Sequence, residues 1–320
     1  MTTVPPLISI CIPAYRRDYL FEAVASAAAQ QIEGLEIVVT DNGPDDIGAA
    51  LAAAAGDVAL VYVHNGENIG MCANFRKALS LARGRYVTFL CADDLLYPGA
   101  LQRLVAHLEA HPGMLFAGSQ VEYVGVRSGG TNHRLPEVMT GRDYVVASMR
   151  RARNFMHLCT TTFRREAGLA VGIGDLLFFD WLFWLRLALR GEVGFIDARL
   201  GAHRYHERNE TGQQVTSVVE ECARLQEVFS ALRELDEAKL QRQGLIRALR
   251  CGRRRLFARY YEFGWRQASG QGGKSAASLR QAFREMGCPW PTRLFFPVVP
   301  LKLYGLDRLL TVRRMVRGER

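Results

Sequence analysis

The 320-residue sequence predicts an α/β protein: a doubly wound, mostly parallel sheet flanked by helices, followed by a helical, basic C-terminal extension. Two observations carry the prediction. Short β-branched runs alternate with helix-length amphipathic segments through the first hundred residues, and each run ends at its carboxyl side in polar residues. A third observation, 49% hydrophobic residues, provides for one large core. The expected division is residues 1–212 for the sheet domain and 213–320 for the extension.

"LISICIPAY" (7–15) reads as a buried first strand stopped by Pro13, and "RDYLFEAVASAAAQQ" as the helix after it, broken at Gly34. "LEIVVTDNGPDD" supplies a second strand ending at Asp41, and the alanine-rich segment 47–55 a second helix. "VALVYVHN" is a third strand, "MCANFRKALSLARG" a helix closed by Gly84, and "YVTFLCADD" a fourth strand. Doubly wound sheets bind ligands at the carboxyl ends of their strands, so Tyr15, Asp41, Asn65 and Asp93 are expected to cluster there.

Charge is divided unevenly. Residues 251–320 hold 15 Lys and Arg against 4 Asp and Glu, leaving 26 against 28 for residues 1–250. A slightly acidic body argues against nucleic acid as a partner, and the basic aromatic segment 289–320 suits peripheral contact with an anionic membrane face or packing on the main domain. The seven scattered cysteines show no zinc spacing, which fits a reducing cytoplasm, and no apolar run is long enough for a membrane span. The turn after strand one is "IPAYRRDY" rather than a dinucleotide-binding glycine motif, and no phosphate-loop motif occurs.

The adjacent carboxylates Asp93 and Asp94 admit two readings. Strand-end acids can hold Mg²⁺ or Mn²⁺ beside a phosphorylated substrate; an Asp-Asp before a helix beginning near residues 96–98 can equally be an N-cap. Asp180, at an apolar helix start, admits the same cap reading. "HRYHERNETG" (203–212) reads as a solvated loop, and Asn68, Gly70 and Asn74 as a helix-entry turn. Arg76 reads as a surface helix residue.

Taken together, "ISICIPAYRR", "LEIVVTDNGPDD", "ENIGMCANFRKALSLARGRYVTFLCADDLLYPGAL", "FFDWLFWLRLALRGEVGFI" and "HRYHERNETG" resemble the family-two glycosyltransferases of GT-A fold over residues 7–212. The resemblance implies a nucleotide-sugar donor, UDP- or dTDP-linked, and transfer of a hexosyl or deoxyhexosyl group with inversion. The acceptor would be a glycan, a lipid-linked molecule or a small molecule, in cell-surface glycan or glycoconjugate synthesis. It implies donor contacts from Pro13, Ala14, Tyr15, Arg17, Asp41, Asn68, Gly70, Asn74, Asp93 and Arg204. It also implies Mn²⁺ or Mg²⁺ on Asp94, Asp93 and His206, and Asp180 as general base with Asp175 in reserve. Two departures from the family pattern stand out: Cys91 occupies a position often acidic, and Phe179 replaces the first acid of a pair ending at Asp180. They keep open a non-catalytic relative that binds a nucleotide sugar or a partner.

Overall fold

The computed structural model describes residues 5–209, 218–269, 281 and 283–285. Segment 289–320, with its expected membrane contact, lies outside the described residues. The six described cysteines, Cys11, Cys72, Cys91, Cys159, Cys222 and Cys251, are free.

The first half is the expected parallel layer. Strands β1 (Ile8–Ala14), β2 (Leu35–Asp41), β3 (Ala59–His64) and β4 (Tyr86–Phe89) alternate with helices α1 (Leu20–Ala28), α2 (Gly48–Ala55) and α3 (Met71–Leu81). They pair in parallel in the order β3-β2-β1-β4. β1, β2 and β4 are buried almost throughout, as a parallel sheet covered on both faces requires. Gly84 does not close α3, whose last residue is Leu81 with Ala82 as its C-cap; a Cβ at Gly84 would lie 2.5 Å from the Ser9 amide nitrogen, so glycine there lets the chain run against β1.

Beyond β4 come β5 (Leu95–Leu96), α4 (Ala100–Ala110), β6 (Met114–Gly125), β7 (Gly129–Gly130), β8 (Val138–Met139) and α5 (Gly141–Arg151). Then follow β9 (Thr161–Arg164), α6 (Arg165–Val171), α7 (Phe179–Ala188) and β10 (Glu192–Tyr205). β9 runs antiparallel between β4 and β6, and β10 returns parallel to β6, extending the sheet to ten strands. The segment from residue 203 is therefore not all solvated loop: its first three residues complete β10.

Helices α8 (Val218–Arg242) and α9 (Ile246–Ser269) pack on α7 and α5. Phe229, Leu232, Leu249 and Phe257 share one core with Trp181, Trp184 and Phe163. α7 is thus held between the sheet and α8. Its Arg186 Nε donates to Asp236 Oδ2 at 3.0 Å, where α8 kinks.

Candidate active site

The Asp93-Asp94 pair lies in a turn between β4 and β5, not at a helix start. α4 begins at Ala100 behind Gly99, with no side-chain cap, so the cap reading fails by several residues. Asp94, 2% exposed, is answered instead by the end of β10: His203 Nδ1 and the Arg204 backbone N–H both donate to its Oδ1 at 3.0 Å. Asp93 Oδ2 accepts from His206 Nε2 and Asn209 Nδ2, each at 3.1 Å. Arg204 Nε donates to the Asp93 carbonyl at 3.0 Å, its NH2 pairs with Glu22 at 2.7 Å, and its guanidinium sits 4.1 Å over the Tyr19 ring. Two crowded carboxylates therefore gain stability from a strand 110 residues away in sequence.

The electrostatics follow from that crowding. Burial, then the neighbouring Asp94 charge, raises the Asp93 carboxyl above its ordinary value. Burial works to lower the His203 imidazole, but the Asp94 carboxylate outweighs it and the net shift is upward. His157, its ring 5.6 Å from His203, is pushed down to about 3 by burial and by His203, so it is neutral near pH 7. Tyr123 and Tyr205 complete an aromatic wall beside His203.

A Cys91 sulfur and one carboxylate oxygen each from Asp93 and Asp94 lie within 4.8 Å of one another. The side-chain donors to Asp93 fall on Oδ2, and the His203 and Arg204 donors to Asp94 fall on Oδ1. The two carboxylates fit a hard divalent ion; the Cys91 thiol, soft and held protonated, does not. His206 is outside the three-donor group; it supports Asp93, with its ring 5.4 Å from Tyr19.

Asp180 converges on the same place. The Cys91 thiol is pushed well up, first by burial and then by the charges of Asp94, Asp93 and Asp180, so all three carboxylates act on it electrostatically. Asp180 is not an N-cap: Phe178 holds that position without a side-chain bond, and Asp180 lies in the first turn of α7. Its Oδ2 accepts from Asn154 Nδ2 at 2.7 Å. Burial raises its carboxyl to about 6, against hydrogen bonds from the Trp181 and Asp180 backbone and from Asn154 that hold it down. Asp175, the reserve candidate, is 78% exposed and paired with Arg76 at 2.7 Å.

On the opposite flank, Asp41 is fully buried and accepts from Arg17 NH2 (2.7 Å), the Gly43 N–H (2.8 Å) and the Tyr62 hydroxyl (3.1 Å). Asn65 donates to Asn42 (2.7 Å) and Asn74 (3.0 Å), and Asn42 donates to Asn68 (2.9 Å). Asn68 Oδ1 also takes the Gly70 N–H, whose φ of 85° turns the chain into α3. Asn74 spends both amide hydrogens on the carbonyls of Ala14 and Thr40, so it ties the ends of β1 and β2 together and has no donor left for a ligand. Ala14 is buried and Pro13 half-buried at the strand end, while Tyr15 stands 47% exposed beyond it. Asp41, Asn65 and Asn74 thus meet at the ends of β1, β2 and β3, while Asp93 stands after β4 with partners from the far end of β10 and beyond. His203, Asn154 and His157 were not singled out from the sequence; the alternation of His203 and Tyr205 on one face of a strand was the available signal for the first.

A mixed sheet of this order, with paired acids at the end of its fourth strand, defines a GT-A-type enzyme scaffold. The chain belongs to glycosyl transferase family 2, whose model matches residues 9–169; Asp180, Arg204 and His206 lie beyond the matched span. An uncharacterized protein of Mycobacterium tuberculosis (strain CDC 1551 / Oshkosh) is 34% identical over 224 residues, 64% of this chain and 69% of that one. An uncharacterized glycosyltransferase of Rickettsia felis is 25% identical over 245 residues, and there the chain spans only 40% of its relative's length. Among solved structures, S. aureus TarS 1-349 in complex with UDP-GlcNAc superimposes with a TM-score of 0.65 at 16% identity, covering 88% of this chain and 81% of that one. The mannosyltransferase PcManGT from Pyrobaculum calidifontis, in complex with GDP-Man and Mn²⁺, gives 0.51 at 16% identity, covering 92% and 84%. Both show a shared fold. No described helix is long and apolar enough to cross a membrane.

Proposed function

We propose that the chain transfers a sugar from a nucleoside-diphosphate donor, UDP- or dTDP-linked, to an acceptor hydroxyl in a single inverting displacement. The observation that carries this reading is the close grouping of Asp93 and Asp94 beside Cys91, within electrostatic reach of Asp180, at the carboxyl ends of a sheet whose other strand ends carry the Asp41, Arg17 and asparagine network. The nucleotide sugars bound to TarS and PcManGT support the donor class.

The roles follow from the chemistry. Tyr15 offers an exposed ring at the end of β1 to stack on the base, and Arg17 with Asp41 fixes the turn beneath it. Asp93 and Asp94 would hold Mn²⁺ or Mg²⁺ through carboxylate oxygens, and the ion would neutralise charge on the departing diphosphate. His203 and His206 orient those carboxylates. Asp180, with its carboxyl near 6, is ionised at neutral pH yet basic enough to take the acceptor proton as the oxygen attacks the anomeric carbon. The glycosidic bond to the diphosphate breaks as the new one forms.

The test is release of nucleoside diphosphate from a donor panel with Mn²⁺, in the presence of simple sugars and lipid-linked acceptors. Turnover of a UDP- or dTDP-sugar is expected. Tight binding of a donor with no turnover under any acceptor, and no slow hydrolysis, would support the non-catalytic alternative.

A further inference from the structure

The loop that reaches Asp180 is built with unusual care. α5 ends at Ala152, which holds φ 47°, the single non-glycine residue in the left-handed region among those described. That costs of order 1 kcal/mol and sends residues 153–156 back across the start of α7. The Arg153 N–H donates to the Ser148 carbonyl at 3.1 Å, and the Ser148 hydroxyl donates to the Arg153 carbonyl at 2.7 Å. Trp181, next to Asp180 in sequence, donates its indole N–H to the same Ser148 oxygen at 2.8 Å. Asn154, next to Arg153, closes the ring by donating to Asp180 Oδ2. Asn154 Oδ1 accepts from the Met156 N–H at 3.1 Å, which fixes the amide: reversing it would face a carbonyl oxygen toward the carboxylate and an NH₂ toward an N–H.

Ser148 is fully buried, Phe155 and Met156 are 1% exposed, and the Trp181 ring meets Phe229 of α8 edge-on at 5.4 Å. The ring of contacts is therefore anchored on both sides, in α5 and in α7. Asp180 Oδ1, by contrast, takes no side-chain donor among the described residues. The Trp181 and Asp180 backbone N–H groups also reach the carboxylate, and Asn154 is its side-chain donor.

We propose that Asn154 is the positioning residue for Asp180: its amide clamps Oδ2 so that Oδ1 is presented to the acceptor hydroxyl. The inference rests on the reading of Asp180 as general base. Clamping restricts the carboxylate to one rotamer, and near-attack geometry is where misplacement by about 1 Å can cost 10²-fold in rate. The clamp also keeps the carboxyl ionised, because a hydrogen bond donated to the charged form stabilises it against protonation. The other titratable groups around Asp180 are His203 from β10, Cys91 after β4 and Tyr144 from α5; none of these is altered by changing Asn154.

The experiment pairs Asn154→Ala with Asp180→Asn in the full chain. The Asp180 carboxyl is followed by ¹³C NMR of aspartate-labelled protein, its signal assigned by its loss in Asp180→Asn. In Asn154→Ala the Asp180 midpoint should rise by about one pH unit. kcat should fall roughly ten- to a hundred-fold, with its acid limb moved upward and donor KM unchanged. An unmoved midpoint, or normal kcat beside an inactive Asp180→Asn, overturns the inference alone. Normal turnover by Asp180→Asn itself overturns the general-base reading and the inference with it. If Asn154→Ala does not fold, Asn154→Asp keeps the shape and the Met156 contact while replacing the donor by an acceptor. The same upward shift of the acid limb is then expected, and wild-type behaviour refutes the clamp.

Discussion

Replacing Asp180 by Asn should inactivate the protein and stabilise it at the same time. The fold raises this carboxyl from 3.8 to about 6, so the ionised form is disfavoured in the folded state. The sign is set by which state binds the proton more tightly. Below both values the carboxyl is protonated in folded and unfolded chains alike and costs nothing. Between 3.8 and about 6 the unfolded chain ionises first, and stability falls as pH rises. Above about 6 the full penalty is present, on the order of 3 kcal/mol at 1.36 kcal/mol per pH unit. Asn carries no charge and its Oδ1 can still accept from Asn154, so Asp180→Asn should recover much of that energy at pH 8 and roughly half as much at pH 5. Turnover should fall by ~10² to 10⁴, since the acceptor proton has lost its base. Urea unfolding at several pH values, run beside initial rates of nucleoside diphosphate release, reads both. A variant with near-normal turnover, or one less stable than the parent at pH 8, would refute the reasoning.

Three further outcomes are expected. His203→Ala should weaken Mn²⁺ binding by ~10- to 100-fold, measured by titration calorimetry, because Asp94 Oδ1 loses the side chain that orients it. Arg186→Ala should cost ~3 to 5 kcal/mol in urea unfolding, since it strips the closest partner from Asp236, whose side chain is 3% exposed. Gly84→Ala should lower the melting temperature by several degrees without changing donor affinity, because its Cβ would meet the Ser9 amide at 2.5 Å.

The parallel half of the fold was legible because its signals are local. Apolar runs of strand length, helices between them and polar residues at each carboxyl end specify β1 to β4, and with them the positions of Asp41 and Asp93. What could not be read depends on long-range pairing. β9 enters between β4 and β6 in reverse, and β10 continues through His203 and Tyr205, polar residues that resemble a loop until the neighbouring strand is known. For that reason the sequence reading put weight on His206, whereas Asp94 is bonded by His203. Asp180 was found through a family pattern rather than through spacing. Asn154 was missed because its contact exists only after Ala152 adopts a left-handed turn, a conformation that alanine does not advertise. Asn74 shows the opposite error: a polar residue near the cleft, expected to touch the donor, is consumed by the carbonyls of Ala14 and Thr40.

If Asp93 and Asp94 bind a nucleoside diphosphate through a divalent cation, titration calorimetry with UDP, dTDP and GDP will show it. With Mn²⁺ present, UDP or dTDP should bind the wild-type chain far more tightly than in chelator. Asp94→Asn should remove that difference while leaving the weak metal-free binding intact. Equal affinity with and without metal in the wild-type chain, or an undiminished metal effect in Asp94→Asn, would mean that these carboxylates hold no cation for the donor.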